Sequence, residues 1–117
     1  MINKDIAVAG YIAAALLTSR HRDEFRLYGS WDIEDCSRDE IRAEVDEFLV
    51  GNATLLLTSG MNSEQIGRTF WLARNGFGMD FAKRIGHRGQ ELDTEAVTRG
   101  RRALVVINNK LYHHRVS

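Results

Sequence analysis

The sequence predicts a single α+β domain, because three of its stretches favour different kinds of regular structure. An alanine-rich apolar segment near the N-terminus favours helix. An aromatic stretch over residues 69–81 contains an Asn-Gly pair, which is typical of hairpin turns, and an unbroken apolar run over residues 103–107 favours a buried strand. The predicted element order is α-α-β-β-α-β-β, which forms a mostly antiparallel four-stranded sheet with the helices on one face.

Length and composition indicate one folded domain over residues 1–117. The hydrophobic fraction of 44% and the charged fraction of 27% are ordinary for a globular protein. The one cysteine, Cys36, excludes an internal disulfide and fits a reducing cytoplasm. The apolar stretch from Ile6 to Leu17 is shorter than the roughly 20 residues that cross a bilayer. We therefore expect a cytoplasmic protein without a membrane partner.

The first predicted element is a helix over Lys4–Thr18, where apolar residues recur at helical spacing. This spacing predicts a buried stripe that consists of Ile6, Ala9, Ala13, Leu16 and Leu17. The run Ala13–Ala15 is alternatively a tight packing face or a dimer face, because alanine permits close approach of another element. A monomer and a homodimer both remain open.

A long polar connection follows the first helix. Its apolar residues Phe25, Leu27 and Ile33 are expected to anchor it onto the core. Tyr28 and Trp31 are either exposed contact anchors for a partner or further pins onto the core. A connection of this length in a compact domain is often functional.

The second predicted helix begins at Ser37 and runs to about Leu57. Ser37 and Glu40 have the spacing of a capping box, in which each residue satisfies a backbone N–H of the other. Gly51-Asn52 is expected to loosen this helix midway.

The aromatic stretch predicts a β-hairpin. Thr69–Arg74 is interpreted as a strand, Asn75–Gly78 as the turn region and Met79–Ala82 as the return strand. A rival interpretation makes Ser63–Asn75 a helix that ends at Gly76. The hairpin is preferred, because aromatic and β-branched residues favour strands and a glycine at position 67 disfavours a helix interior.

The C-terminal third predicts a helix followed by a second hairpin. The helix covers about His87–Arg99, and Gly100 is suited to end it. Ala103–Ile107 is predicted to be a central strand covered on both faces. Asn108-Asn109 then forms the turn, and Lys110–Arg115 returns as a strand.

The residues of the aromatic stretch also resemble the signature of a family of small proteins from bacteriophages and related mobile elements. The typical family motif reads Asp-Phe-Trp-Leu-Thr-Arg-Asn-Gly-His-Gly-Ala-Gly-Phe. Eight residues of this chain match the motif, namely Phe70, Trp71, Leu72, Arg74, Asn75, Gly76, Gly78 and Phe81. The departures are Thr69, Ala73, Phe77, Met79 and Asp80. The resemblance extends from about Tyr11 to Tyr112.

The resemblance implies a setting inside a host cell, where small phage proteins often act stoichiometrically on a host protein. We therefore expect the chain to bind a host protein or protein complex, with no cofactor. Inhibition of a CRISPR complex or of a restriction enzyme is one concrete form of this expectation. A non-enzymatic protein is favoured, because the sequence shows no nucleophile elbow, phosphate-binding glycine loop or zinc-ligand spacing. His113 and His114 point to opposite faces of a strand and are poor co-ligands for a metal.

Charge is distributed unevenly along the chain, although the net charge is zero. Residues 1–60 contain 6 Lys/Arg and 11 Asp/Glu, a net charge of −5, whereas residues 61–117 contain 10 and 5, a net charge of +5. The alternative function is therefore a nucleic-acid-binding module that uses the basic C-terminal half, with Trp71, Phe77 and Tyr112 as candidate stacking residues.

Two sets of residues follow from the motif and the charge pattern. The candidate partner-binding residues are Arg74, Asn75, Phe77, Lys83, Arg84, Arg101 and Arg102. The candidate structural residues are Phe70, Trp71, Gly76, Gly78 and Phe81. Arg74 and Asn75 are expected at the tip of the hairpin, where a rigid turn presents side chains. Asn75 and Gly76 alternatively serve only the turn geometry.

Overall fold

A computed structural model describes residues 2–19, 23–78 and 80–116 of the chain. The α-helices are α1 (Lys4–Ser19), α2 (Asp35–Gly51), α3 (Ala53–Leu57), α4 (Ser63–Arg74), α5 (Phe81–Ile85) and α6 (Gly89–Thr98). The strands are β1 (Arg101–Ile107) and β2 (Lys110–Val116). Short 3₁₀ helices cover Asp23–Leu27, Ser30–Asp32 and Gly86–Arg88. No helix in these described ranges combines the length and apolar character needed to cross a bilayer.

The α+β class is confirmed, but the predicted four-stranded sheet is wrong. Residues 69–74 lie in α4, and the predicted return strand reaches into α5, with Met79 outside the described residues. The sheet has two antiparallel strands, β1 and β2. The rival interpretation of residues 63–75 as a helix is the one that the structure shows.

A close approach of two helices explains why a glycine lies inside α4. A side chain at Gly67 would collide with the backbone of Ala7 in α1, since an added Cβ would lie 2.6 Å from the Ala7 carbonyl carbon. A Cβ at Gly10 of α1 would likewise lie 3.0 Å from the carbonyl carbon of Glu64 in α4. The two glycines let the helices pack backbone against backbone, which outweighs the low helix propensity of glycine.

Both ends of α4 follow local rules. Asn62 caps the start, since its side chain accepts a hydrogen bond from Gln65 N at 2.8 Å and Gln65 Oε1 accepts one from Asn62 N at 3.0 Å. At the other end Gly76 has a φ of 72°, and the N–H groups of Gly76 and Phe77 donate to the carbonyls of Ala73 and Leu72. This is the Schellman pattern that ends many helices. The Asn-Gly pair therefore closes a helix instead of a hairpin.

The predicted capping box at the start of the second helix is also wrong. Helix α2 begins two residues earlier, and Glu34 caps it by accepting a hydrogen bond from Cys36 N at 2.8 Å. Ser37 instead accepts a hydrogen bond from the backbone N–H of His113 at 3.0 Å, and Glu40 contacts the His113 ring. The predicted break near Asn52 is confirmed, because α2 ends at Gly51 and α3 follows.

The C-terminal elements confirm several predictions. Helix α6 ends at Thr98, Gly100 follows its C-cap residue Arg99 with a φ of 86°, and the turn residues Asn108 and Asn109 have φ values of 50° and 63°. The expectation that β1 is covered on both faces is wrong, because Ile107 is exposed and Val105 is only half-buried. Beside β2, the N–H of Glu34 donates to the Leu111 carbonyl at 2.9 Å.

The core lies where α1, α2, α4 and the inner face of the hairpin meet. The Phe48 ring stacks on Phe70 with 4.2 Å between ring centroids, and Phe81 also packs on the Phe48 ring, with 5.6 Å between centroids. Tyr11 meets Trp71 edge to face at 5.2 Å. Such aromatic pairs contribute about 0.5–1.5 kcal/mol each beyond the area that they bury.

A Gly67→Ala substitution tests the close approach of α1 and α4. The added methyl group forces the two helices apart, so we expect the free energy of unfolding to fall by about 1–3 kcal/mol or more. The gain in helix propensity, at most about 1 kcal/mol, does not offset this loss. Urea unfolding followed by circular dichroism measures the change.

Gly51→Ala is the matched control for this substitution. A Cβ at Gly51, the last residue of α2, would make only an ordinary contact, 3.4 Å from Arg99 Nη2. Its stability should be unchanged or higher. Equal stability of Gly67→Ala and the unmodified protein would contradict the backbone packing described above.

Candidate functional site

The motif residue Arg74 lies at the centre of a buried polar network, and its side chain is 0% exposed. Its Nε donates to the Gly100 carbonyl at 2.8 Å and its Nη2 to the Arg99 carbonyl at 2.9 Å. Its Nη1 donates to Glu44 Oε1 at 2.6 Å and to Tyr11 Oη at 3.1 Å. One guanidinium therefore joins α1, α2, α4 and the segment that leads into β1.

Arg102 and His113 complete this network from the hairpin. Arg102 contacts Glu44 through Nη2 and lies 3.3 Å from Glu40 Oε1 through Nη1. His113 Nδ1 lies 2.7 Å from Glu40 Oε1, and its Nε2 lies 2.7 Å from Tyr11 Oη. We call this set the buried polar network, which comprises Tyr11, Glu40, Glu44, Arg74, Arg102 and His113. With neutral histidine, its two carboxylates and two guanidinium groups balance in charge.

The contacts assign the protons within this network. Burial lowers the pKa of His113, although the hydrogen bond with Glu40 opposes the shift. Burial also raises the pKa of Tyr11 far above its ordinary value. We therefore place a proton on Nδ1 of His113, which donates to Glu40, while Tyr11 Oη donates to Nε2 and accepts from Arg74.

Glu40, Glu44 and His113 are the described residues whose spacing could suit a metal ion, because their ligand atoms lie within 4.8 Å of one another. Their partners argue against this use. Both carboxylates are already bound by Arg102, and Glu44 is also bound by Arg74. Two guanidinium charges at the same place would repel a divalent cation. The geometry favours a structural network.

Asn75 joins α4 to β1 from within. Its side-chain Nδ2 donates to the Trp71 carbonyl at 2.9 Å, and its Oδ1 accepts from the backbone N–H of Arg102 at 2.9 Å. Its own carbonyl accepts from Arg101 Nη2 at 3.0 Å. Three predicted contact residues, Arg74, Asn75 and Arg102, are therefore buried and engaged within the chain instead of at an exposed hairpin tip.

The other four predicted contact residues are exposed. Phe77 is 50% exposed, and Lys83, Arg84 and Arg101 are also on the surface. Arg101 and Lys83 lie beside the loop 76–78. A Cβ added at Gly76 would lie 3.5 Å from Arg101 Nη2, and one added at Gly78 would lie 3.7 Å from Lys83 Nζ. The structure thus divides the predicted contact residues into a buried group and an exposed group. We call the exposed group, Phe77, Lys83, Arg84 and Arg101, the cationic loop surface.

The predicted structural residues lie in the core or at helix ends. Phe70, Trp71 and Phe81 are buried, and Trp71 Nε1 donates to Thr18 Oγ1 at 3.0 Å. Gly78, like Gly76, has a positive φ, at 75°. The conformation at both positions favours glycine.

A second feature is an open groove of about 780 Å³ between α1 and the residues around the first two 3₁₀ helices, of whose lining residues the sequence predicts only Tyr28 and Trp31 as candidate contact anchors. Three of its large apolar side chains are strongly exposed, with Leu27 at 90%, Trp31 at 76% and Leu17 at 66%. We call this feature the apolar groove. Its walls are formed by Asp5, Val8, Ala9, Ile12, Ala13, Leu16 and Leu17 of α1, by residues 26–31, and by Arg38 and Arg42 of α2.

The predicted buried stripe of α1 is largely wrong, and this error hid the groove. Ile6, Ala9, Ala13 and Leu17 are exposed, whereas the face of α1 that includes Ala7, Tyr11, Ala14 and Ala15 is buried. The helix is apolar around its whole circumference, so its periodicity alone does not identify the inner face.

The exposed indole of Trp31 lies against the backbone of Gly29. A Cβ at Gly29 would lie 2.6 Å from Trp31 Cζ2, so the ring occupies the space that a side chain at position 29 would take. Asp32 Oδ2 accepts a hydrogen bond from Gly29 N at 2.8 Å, which fixes the turn beneath the ring. Phe25 and Ile33 are buried on either side and anchor the segment, as predicted. The prediction that Leu27 anchors the segment is wrong, because its side chain is exposed, whereas the exposure of Trp31 agrees with the alternative that made it a contact residue.

Comparisons of the chain with protein-family models, with curated proteins and with solved structures find no match. The likeness to the phage family therefore stays a prediction that rests on the motif residues. Fold and surface together define a small α+β domain with a charge-balanced internal network and an exposed apolar groove.

An Arg74→Met substitution tests the structural role of the network. Removing the guanidinium leaves Glu44 with one cation and leaves two backbone carbonyls without their donor, so we expect a loss of about 3–5 kcal/mol in the free energy of unfolding. Urea unfolding provides the measurement.

Arg84→Met is the matched control, because Arg84 is exposed. It should change stability by no more than about 0.5 kcal/mol. A similar small loss for Arg74→Met would show that the buried contacts add no net stability.

The pH dependence of stability tests the protonation state of His113. Because burial lowers its folded pKa, the unfolded chain takes up a proton first as the pH falls below about 6.5. The free energy of unfolding should therefore decrease as the pH falls through this value towards the lower folded pKa. Urea unfolding measures this free energy at each pH. It should fall more steeply with decreasing pH for the unmodified protein than for His113→Gln. Parallel profiles would contradict the assignment of a neutral buried imidazole.

Proposed function

We propose that this protein is a non-enzymatic binding protein that holds part of another protein in the apolar groove. The observation that supports the proposal is the exposure of Leu17, Leu27 and Trp31 along one groove. Large contiguous apolar surfaces on soluble domains commonly mark interaction sites, because their exposure to water is unfavourable.

The anchoring of the segment that carries Trp31 supports the same proposal. The Trp31 ring lies against Gly29, and the segment is anchored by buried Phe25 and Ile33. A segment whose backbone is already anchored loses less conformational entropy when a partner covers it. Tryptophan is also among the residues that contribute most to binding energy at protein interfaces.

The setting of the proposed partner comes from the sequence. The motif around Phe70 and Trp71 resembles phage and mobile-element proteins, which suggests a host protein or protein complex in the cytoplasm as the target. Inhibition of a host defence system is a specific form of this proposal. In this form the motif stabilises the fold, while the apolar groove makes the contact.

The cationic loop surface supports a second candidate function, which is binding of nucleic acid. Phe77, Lys83, Arg84 and Arg101 are all exposed, and Lys83 and Arg101 lie beside the loop 76–78 that carries Phe77. Among the described residues, no ion pair involves any of the three cations. An exposed ring flanked by unpaired cations suits a base and its phosphates, and such binding would be strongly salt-dependent.

A Leu27→Asp substitution tests the groove as a protein-binding site. We expect the tagged variant to lose the partner that the unmodified protein captures from a nuclease-treated lysate of its host cells. Placing a charge at a central apolar contact typically weakens an interface by more than 2 kcal/mol, or about 30-fold in affinity. Quantitative mass spectrometry of the captured proteins measures the loss.

Leu57→Asp is the matched control, because Leu57 is also exposed but does not line the groove. It should retain the partner at the level of the unmodified protein, and both variants should unfold at the same urea concentration. Equal capture by the two variants would contradict the groove as the binding site. A loss of all partners on nuclease treatment would favour the nucleic-acid function.

A further inference from the structure

We propose that the segment held in the apolar groove is an amphipathic α-helix whose apolar stripe is flanked by acidic residues. This inference rests on the proposed protein-binding function and adds the conformation and charge of the partner.

The longer wall of the groove has the dimensions of a helix–helix contact. The α1 residues that line it recur every three to four positions from Asp5 to Leu17. At a rise of about 1.5 Å per residue they form a straight wall of about 18 Å, or three helical turns. Ala9 and Ala13 lie along this wall, and their small side chains allow a second helix to approach closely.

The backbone of both walls favours a helical occupant over an extended one. One wall is α1, and the other contains the 3₁₀ helices Asp23–Leu27 and Ser30–Asp32. None of the described residues that line the groove lies in a strand, so an extended peptide would find no ladder of backbone donors and acceptors there to pair with. A helix satisfies its own backbone groups and needs only side-chain contacts from the groove.

The charges at the rim determine the preferred partner. Arg26, Arg38 and Arg42 line the groove, whereas Asp5 is the acidic residue that lines it. Arg42 lies 3.5 Å from Asp5, and Arg26 lies 3.6 Å from Asp23, with all four side chains largely exposed. Exposed pairs of this kind contribute little, so a partner carboxylate can replace them at small cost. A partner with acidic flanks therefore fits the excess of positive charge.

A second copy of this chain is a weaker candidate for the groove. Helix α2 does present exposed acidic residues, Asp46 and Glu47, beside exposed Val50. A contact between the groove of one copy and α2 of another generates rings or open chains of molecules unless both copies reciprocate it across a two-fold axis, and in every case the apparent mass rises with protein concentration. Light scattering at increasing protein concentration reports such assembly directly.

The experiment uses three synthetic peptides of about 14 residues, each with leucines at helical spacing. The first has glutamates beside the leucines, the second has lysines at the same positions, and the third is the glutamate peptide with a central proline. Trp31 is the reporter, because its indole is exposed, whereas Trp71 is buried. Trp31→Phe identifies the fluorescence change that arises from this residue.

We expect the glutamate peptide to shift Trp31 emission to shorter wavelength and to bind at least about tenfold more tightly than the lysine peptide at low salt. The proline peptide should bind weakly, because proline breaks the helix. Arg26→Glu combined with Arg42→Glu should reverse the charge preference. Leu27→Asp should weaken binding of every peptide, whereas Leu57→Asp should leave it unchanged.

Five results would overturn the inference, and the last of them would overturn the proposed function as well. Equal binding of the glutamate and lysine peptides would show that the groove has no preference for acidic flanks. Equal binding of the proline and glutamate peptides would show that the bound segment need not be a helix. Self-association that Leu27→Asp abolishes would assign the groove to a second copy. If cellular capture depends on Leu27 but no peptide binds, the proposed function stands and the acidic helix is wrong. If capture does not depend on Leu27, both are wrong.

Discussion

The buried guanidinium of Arg74 is the interaction on which the arrangement of this domain depends. A charge without access to water is tolerated only when it is paired and hydrogen-bonded, and here four hydrogen bonds connect Arg74 with α1, α2 and the segment before β1. Because those partners are distant in sequence, the hydrogen bonds specify how the elements sit relative to one another. Arg102 and His113 extend the same constraint into the hairpin.

The apolar groove follows from how the buried polar network is built. Tyr11 must face the network, and Gly10 and Gly67 let α1 approach α4 at backbone distance. These requirements select the inner face of α1. The helix is apolar all round, so its remaining apolar side chains, including Leu17, are left at the surface. The 3₁₀ segment adds Leu27 and Trp31 opposite them, and an open apolar surface results.

Predictions from the sequence succeeded where the determining contacts are local. The first helix, the break at Asn52 and the hairpin turn at Asn108-Asn109 depend on spacing, helix breakers and left-handed conformations within a few residues. The aromatic stretch failed because Gly67 was judged by propensity, whereas its role is to admit the backbone of α1. The capping box of Asn62 and Gln65 was a local signal that would have favoured the helix.

The sequence by itself determined the α+β class, the approximate positions of α1, α2 and α6, and the C-terminal hairpin, since propensity, periodicity and turn chemistry act over short distances. The tertiary structure alone decided which polar residues are internal. Arg74, Asn75 and Arg102 are suited to a surface in isolation, and they become structural only because Glu44, Tyr11 and the carbonyls after α6 surround them. It also decided that Leu27 and Trp31 face solvent, because the exposed side of an apolar segment depends on what packs against its other side.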